Sequence, residues 1–159
     1  MAIVRGAGMS IDEAEVGPRE RVKAVVALEV LLRIWRQAVD CFPDDDLETI
    51  LVYLTVAAAS SSSYLRDPAI LVHLEDGALP DHLHKPTSGR AVAEATGLAR
   101  ETVRRRIDAL VASGRLVREA RGVRTITDTI NLNRNLEFAR VLIHELTSAS
   151  GRLGRFDAI

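Results

Sequence analysis

Eight arginines lie between Ala99 and Arg124, at positions 100, 104, 105, 106, 115, 118, 121 and 124. Only Glu101, Asp108 and Glu119 oppose them, a net of +5. A guanidinium carries five N–H donors in a planar fork and stays charged at any physiological pH. It can bond two oxygens of one phosphate, or O6 and N7 of one guanine. Side-chain direction decides which of these a given arginine can do. In a helix from Arg100 to Ser113, Val103, Ile107 and Leu110 stack on one side and would turn inward. Glu101, Arg105 and Asp108 then fall on the opposite side, where base edges would be read. Arg104 and Arg106 flank them, placed for phosphates. Arg100 and Thr102 sit in the first turn, whose backbone amides are free to meet an anion. Glu101 has two readings: acceptor from a cytosine amino group, or orienting partner of Arg105 four residues on.

Such a surface needs a rigid mount, and the flanking residues describe one. Ser88 suits an N-cap, and Arg90 to Thr96 makes a short helix with Val92 and Ala95 or Ala93 inward. Gly97 supplies the tight turn and Leu98 fills the gap between the helices. Leu116-Val117-Arg118 and Arg124-Thr125-Ile126 read as two short strands around Arg121-Gly122, a basic hairpin over about 116–126. Ser88, Thr102, Arg104, Arg106, Arg121 and Arg124 are the candidates for backbone phosphates. Arg100, Glu101 and Arg105 are the candidates for bases.

The remaining elements are helical. Pro18 opens a helix to Cys41 with apolar residues on more than one face, the pattern of a helix covered twice. Pro43-Asp44-Asp45-Asp46 breaks the chain and caps a second helix, Leu47 to about Tyr64. That helix ends in the small residues AAASSSS (57–63), which would let a further helix pack closely. A short helical segment follows at Ala69–Leu74. Leu79–Thr87, with two prolines, reads as the connector. A last helix, Asn133 to Ala149, carries Leu132, Leu136, Ala139, Ile143 and Leu146 at heptad spacing. The expected organisation is a disordered leader (1–17), a helical packing region (18–78), the basic module (79–130), a C-terminal helix (131–149) and a loose tail (150–159). The fold class is mainly α with one small hairpin.

The segment VAEATGLARETVRRRIDALVASGRLVREARGVRTI resembles the winged helix-turn-helix of bacterial transcription regulators. Its Gly-Leu turn, Thr-Val-Arg-Arg core, Ser-Gly-Arg-Leu helix exit and Arg-Gly wing are similar to GntR-type readers. Arg100-Glu101-Thr102-Val103 with Arg105 is similar to the recognition helix of cyclic-AMP-receptor-type regulators. The likeness spans Ser88 to Thr127. It implies base contact by Arg100, Glu101 and Arg105 and backbone contact by Thr102, with 100–113 in the major groove of double-stranded DNA. The module stands late in the chain, unlike GntR proteins, and no nucleotide-binding barrel precedes it. Helices on both sides of a winged helix are nearer to MarR-like dimers by analogy of layout. The expected function is therefore a homodimeric, sequence-specific DNA-binding regulator. It would be paired through 18–74 and 133–149 and address half-sites roughly 34 Å apart.

Net charge over the 159 residues is −1, yet Asp40 to Asp81 holds nine acids against Arg66 alone, which would keep DNA off that half. Cys41 stands alone, so no intrachain disulfide forms and a reducing, cytoplasmic setting is expected. No apolar run approaches the ~20 residues of a membrane span, so no membrane partner is expected. His73, His82 and His84 with Asp81 lack the paired spacing of zinc ligands, and a solvated or capping role fits them better. Cys41 follows an apolar helix and reads as a buried thiol rather than a redox sensor. No phosphate loop, nucleophile elbow or paired acid and base is present, so neither an enzyme nor a cofactor is expected; an effector is left open. The competing reading is a protein-interaction module that keeps the winged-helix scaffold without binding DNA.

Overall fold

The computed structural model describes residues 17–62, 84–126 and 133–156. They form α1 (Pro18–Cys41), α2 (Leu47–Ser61), α3 (Gly89–Thr96), α4 (Arg100–Ala112), β1 (Leu116–Glu119), β2 (Gly122–Thr125) and α5 (Asn133–Arg155). The chain divides into two compact units. One holds α1 up to Ala38 with α5 from Phe138; the other runs from Val39 to Glu137. The expected segment at 69–74, residues 79–83 of the connector, His73, Asp81, His82, Leu132 and the leader up to residue 16 lie outside the described residues.

In the first unit α1 and α5 run antiparallel. Glu29 pairs with Arg152 at 2.8 Å and Arg33 with Glu145 at 3.3 Å, so rising numbers on one helix meet falling numbers on the other. Val26, Val30 and Ala38 of α1 and Phe138 and Ala149 of α5 are buried. α5 extends to Arg155 instead of stopping near Ala149. Only Gly151 and Gly154 oppose helix there, each costing about 1 kcal/mol, and Arg152 and Arg155 favour the negative end of the helix dipole. The loose tail expected from 150 is therefore helix as far as Arg155. Part of the expected heptad stripe of α5 is left uncovered. Ile143 and Leu146 are 66% and 54% exposed, whereas Phe138 is buried. On α1, Val25, Leu28 and Leu32 also lie exposed at spacings of three and four.

The second unit is built around α2. Asp46 caps it by accepting from the Thr49 amide (2.9 Å) and hydroxyl (2.7 Å). Its buried side carries Ile50, Val52, Tyr53 and Val56, all at most 3% exposed. α2 ends at Ser61, sooner than expected, with Ser62 donating its backbone N–H to the Ala59 carbonyl. The small residues at this end admit a strand, where a helix was expected. Ser60 is fully buried, and its hydroxyl accepts from the Thr125 amide of β2 at 3.4 Å.

α3 and α4 pack on this core through Val92, Ala93, Val103, Ile107 and Leu110. Ser88 caps α3 by accepting from the Ala91 amide at 3.1 Å. Gly97 turns the chain with φ 72°, a left-handed geometry that costs a residue with a Cβ about 1–2 kcal/mol. Thr96 closes the turn from the other side, its hydroxyl donating to the Val92 carbonyl and accepting from the Leu98 amide.

β1 and β2 pair antiparallel, with Leu116 opposite Thr125 and Glu119 opposite Gly122. The turn is therefore Ala120-Arg121, and Gly122 already belongs to the second strand. Thr87 adds a bridge to Val123, exchanging N–H···O bonds of 2.8 and 2.9 Å. The end of the expected connector is thus the hairpin's third pairing segment. No helix among the described residues is long and apolar enough to cross a membrane.

Candidate nucleic-acid interface

α4 turns its two sides to different surroundings. Val103, Ile107 and Leu110 are at most 3% exposed, as the spacing predicted. Arg100, Glu101, Arg104 and Arg105 are exposed on the other side. Arg100 and Arg105 make no side-chain hydrogen bond or ion pair among the described residues, and neither does exposed Arg121 at the hairpin turn. Their forks are open to an incoming ligand.

The other cations of the stretch are engaged within the chain. Glu101 bonds Arg104 in bidentate fashion, at 2.9 and 2.5 Å, and not Arg105 as one reading had it. On a helix both i+3 and i+4 neighbours are in reach, and here the nearer one takes the carboxylate. Arg104 also donates to Asp108 at 2.8 Å, and Asp108 bonds Arg118 of β1 through its other oxygen. Arg104's hydrogen bond holds the Glu101 carboxyl below the usual range against a smaller upward push from desolvation. Glu101 is therefore an anion at neutral pH and arrives at any DNA already paired.

Two expected phosphate contacts are relocated. Arg106 leans back onto α2, pairing with Asp46 at 2.5 Å and Glu48 at 2.8 Å, with its side chain only 22% exposed. Arg124 lies 12% exposed along the hairpin, bonded to Glu119 and to the Thr125 carbonyl. Both point at carboxylates of their own fold, and a guanidinium so placed must break an ion pair before it meets a phosphate. Of the remaining expected contacts, Ser88 is exposed with its hydroxyl used in the cap, and Thr102 is half-buried in the first turn of α4.

No family model, curated protein or solved structure matches the chain.

Sequence reasoning missed the tie between α2 and the basic segment. Arg115 grips Asp45 through both terminal nitrogens, one at 2.7 Å, and lies 5.6 Å over the Tyr53 ring. With Arg106 on Asp46 and Glu48, it fastens the middle of α4 and the segment just after it to the N-terminal end of α2. These partners stand 58 and 70 residues apart in the chain, so no local spacing announced them. His84 is also placed otherwise than expected. It is 8% exposed, with Nδ1 3.4 Å from the Thr125 hydroxyl, because the bridge at Thr87 draws the preceding residues under β2. Cys41 is buried, as expected. Among the described residues no group of histidine, cysteine and carboxylate side chains is gathered as a metal site would require.

Proposed function

We propose that the protein is a sequence-specific, double-stranded DNA-binding transcription regulator acting as a homodimer. In this reading α3, the Gly97 turn, α4 and the hairpin serve as a winged helix-turn-helix. α4 enters the major groove, and the hairpin rests on the backbone. The supporting observation is the division of α4 into an apolar buried side and a solvent side that carries Arg100 and Arg105 with unspent forks. These two read bases, and Arg104, Arg121, Thr102 and Ser88 serve the backbone. Glu101 keeps its base-reading role only by releasing Arg104. The intrachain partners of Arg106 and Arg124 take them out of the contact set. The exposed apolar residues of α1 and α5 support the pairing of two copies.

The test is selection of bound duplexes from a random pool, followed by titration of the winning site. Arg105→Ala should relax preference at one base pair, by the ~1–3 kcal/mol that a bidentate contact discriminates. Arg121→Ala should weaken all sequences alike and reduce the salt slope by about one unit. A pool that returns no enriched sequence at moderate salt would overturn the reading.

The carboxylates spent on Arg104, Arg118 and Arg124 favour a second reading, a winged-helix scaffold that docks a protein. A stoichiometric partner that co-purifies, with indifference to Arg100 and Arg105 substitution, would establish it instead.

A further inference from the structure

Beside the solvent side of α4 the fold leaves a cleft of about 230 Å³ between α3, α4 and the hairpin. Arg90 enters it from α3, Arg100 and Arg104 from α4, and Arg118 from β1. Gly89 and Gly122 offer bare backbone at its walls, and no carboxylate among the described residues lines it. Ile107 and Val123 contribute apolar surface.

The carboxylates outside the cleft take most of the fork of Arg104 but leave those of Arg90, Arg100 and Arg118 largely unspent. Glu94 takes one N–H of Arg90, Glu101 and Asp108 take three of Arg104, and Asp108 takes one of Arg118. Arg100 gives none. With five N–H groups on each fork, most donors remain for a ligand. The volume falls below the roughly 300 Å³ at which sites for whole small molecules begin. The cleft is sized for a group, not a drug-like molecule. Arginines lining one cleft from three elements suit an oxyanion that accepts in three dimensions, whereas a flat carboxylate is served by one fork.

We propose that this cleft seats a single phosphate group. On the DNA-binding reading above, it is a diester of the duplex backbone. The phosphate would clamp α3, α4 and β1 at one point and so fix the angle at which α4 enters the groove. Arg90 and Arg118, which no reading of the sequence singled out for contact, become phosphate ligands, and Arg100 serves this phosphate in place of a base, leaving base reading to Arg105. The same chemistry fits a free phosphoryl compound, and two experiments on the full chain separate the sources.

The first is a titration with inorganic phosphate at low ionic strength, followed by the amide resonances of Gly89 and Gly122. Saturable shifts are expected at both. They should weaken at least tenfold in Arg118→Gln and Arg100→Gln, and stay unchanged in Arg155→Gln on α5. Circular dichroism checks that the variants keep their helix content. The second scans the selected duplex with single neutral methylphosphonates. One position should cost the wild type about tenfold in affinity and cost Arg118→Gln almost nothing, the non-additivity expected of two groups in contact. Coupling in the duplex assigns the cleft to backbone phosphate, whether or not the free ion binds. Saturable phosphate binding by a protein that binds no duplex would overturn the DNA reading and keep the cleft as a site for a free phosphoryl ligand. Flat shifts together with no coupled position would overturn the cleft itself.

Discussion

Gly97 and Gly122 both take positive φ, and for different reasons. At Gly97, φ 72°, a Cβ would meet nothing within 4 Å, so the position asks only for left-handed backbone. At Gly122, φ 144°, a Cβ would stand 2.1 Å from the Thr87 carbonyl oxygen. There the glycine exists so that the Thr87 segment can pair with β2. Gly97→Ala should therefore cost about 1–2 kcal/mol, the left-handed penalty alone. Gly122→Ala should cost at least about 3 kcal/mol, since backbone strain and a backbone clash add. Urea midpoints of the two variants decide the matter: equal losses would mean that Thr87 does not lie against the hairpin. The arginines teach a related lesson at this scale. Arg105 and Arg106 are neighbours of one type, yet one faces solvent and the other binds Asp46, because a step along a helix turns the side chain by about 100°.

Among the elements, α2 is the fixed point. Its N-terminus holds Asp45 for Arg115 and Asp46 for Thr49 and Arg106, so the cap of one helix also anchors another. Burial pushes the Asp46 carboxyl up, but the Thr49 hydroxyl and amide and the Arg106 charge together outweigh it, and the net is a carboxyl held below its ordinary range. A carboxyl depressed by folding stabilises the fold above its unfolded value, about 4. That contribution fades as pH falls through the lower, folded value. Asp46→Ala should cost about 1 kcal/mol at pH 7, the usual loss of a cap. Its midpoint should then approach that of the wild type as both are taken toward pH 3. Midpoints that stay parallel between pH 7 and pH 3 would show that the carboxylate is not what stabilises the cap.

For the whole molecule, the exposed apolar residues are the observation that asks for a partner. Val25, Leu28, Leu31 and Leu32 of α1 are 55–60% exposed, and Ile143 and Leu146 of α5 are similar. Such side chains in water forgo roughly 1–2 kcal/mol each that burial would return. A second copy is the occupant consistent with the proposed regulator, whose two-fold symmetry a near-palindromic site would match. Light scattering should give twice the 17.4 kDa of one chain for the wild type. Leu32→Glu should give one chain, with helix content kept, because Leu32 is already 59% exposed within the protomer. A wild type that scatters as a single chain would end the paired reading.

Much of this was legible from residue order alone, and the reason is physical. Helices obey local periodicity and local caps. Pro18, Asp46, Ser88 and Gly97 therefore marked their boundaries, and Val103, Ile107 and Leu110 announced the inward side of α4 without reference to anything distant. The hairpin announced itself through its arginine-glycine turn, one residue out of register. What lay beyond reach was every pairing between residues far apart in the chain. The Thr87–Val123 bridge, the seat of Thr125 on Ser60, and the capture of Arg106 and Arg115 by the α2 cap depend on which surfaces meet. An arginine on a helix has the same local signature whether its fork ends in solvent or on a carboxylate nearly sixty residues away. The charge of the basic stretch was thus written in its composition. Only folding divided it into arginines spent on the protein and arginines left for a ligand, because that division is made by distance in space and not along the chain.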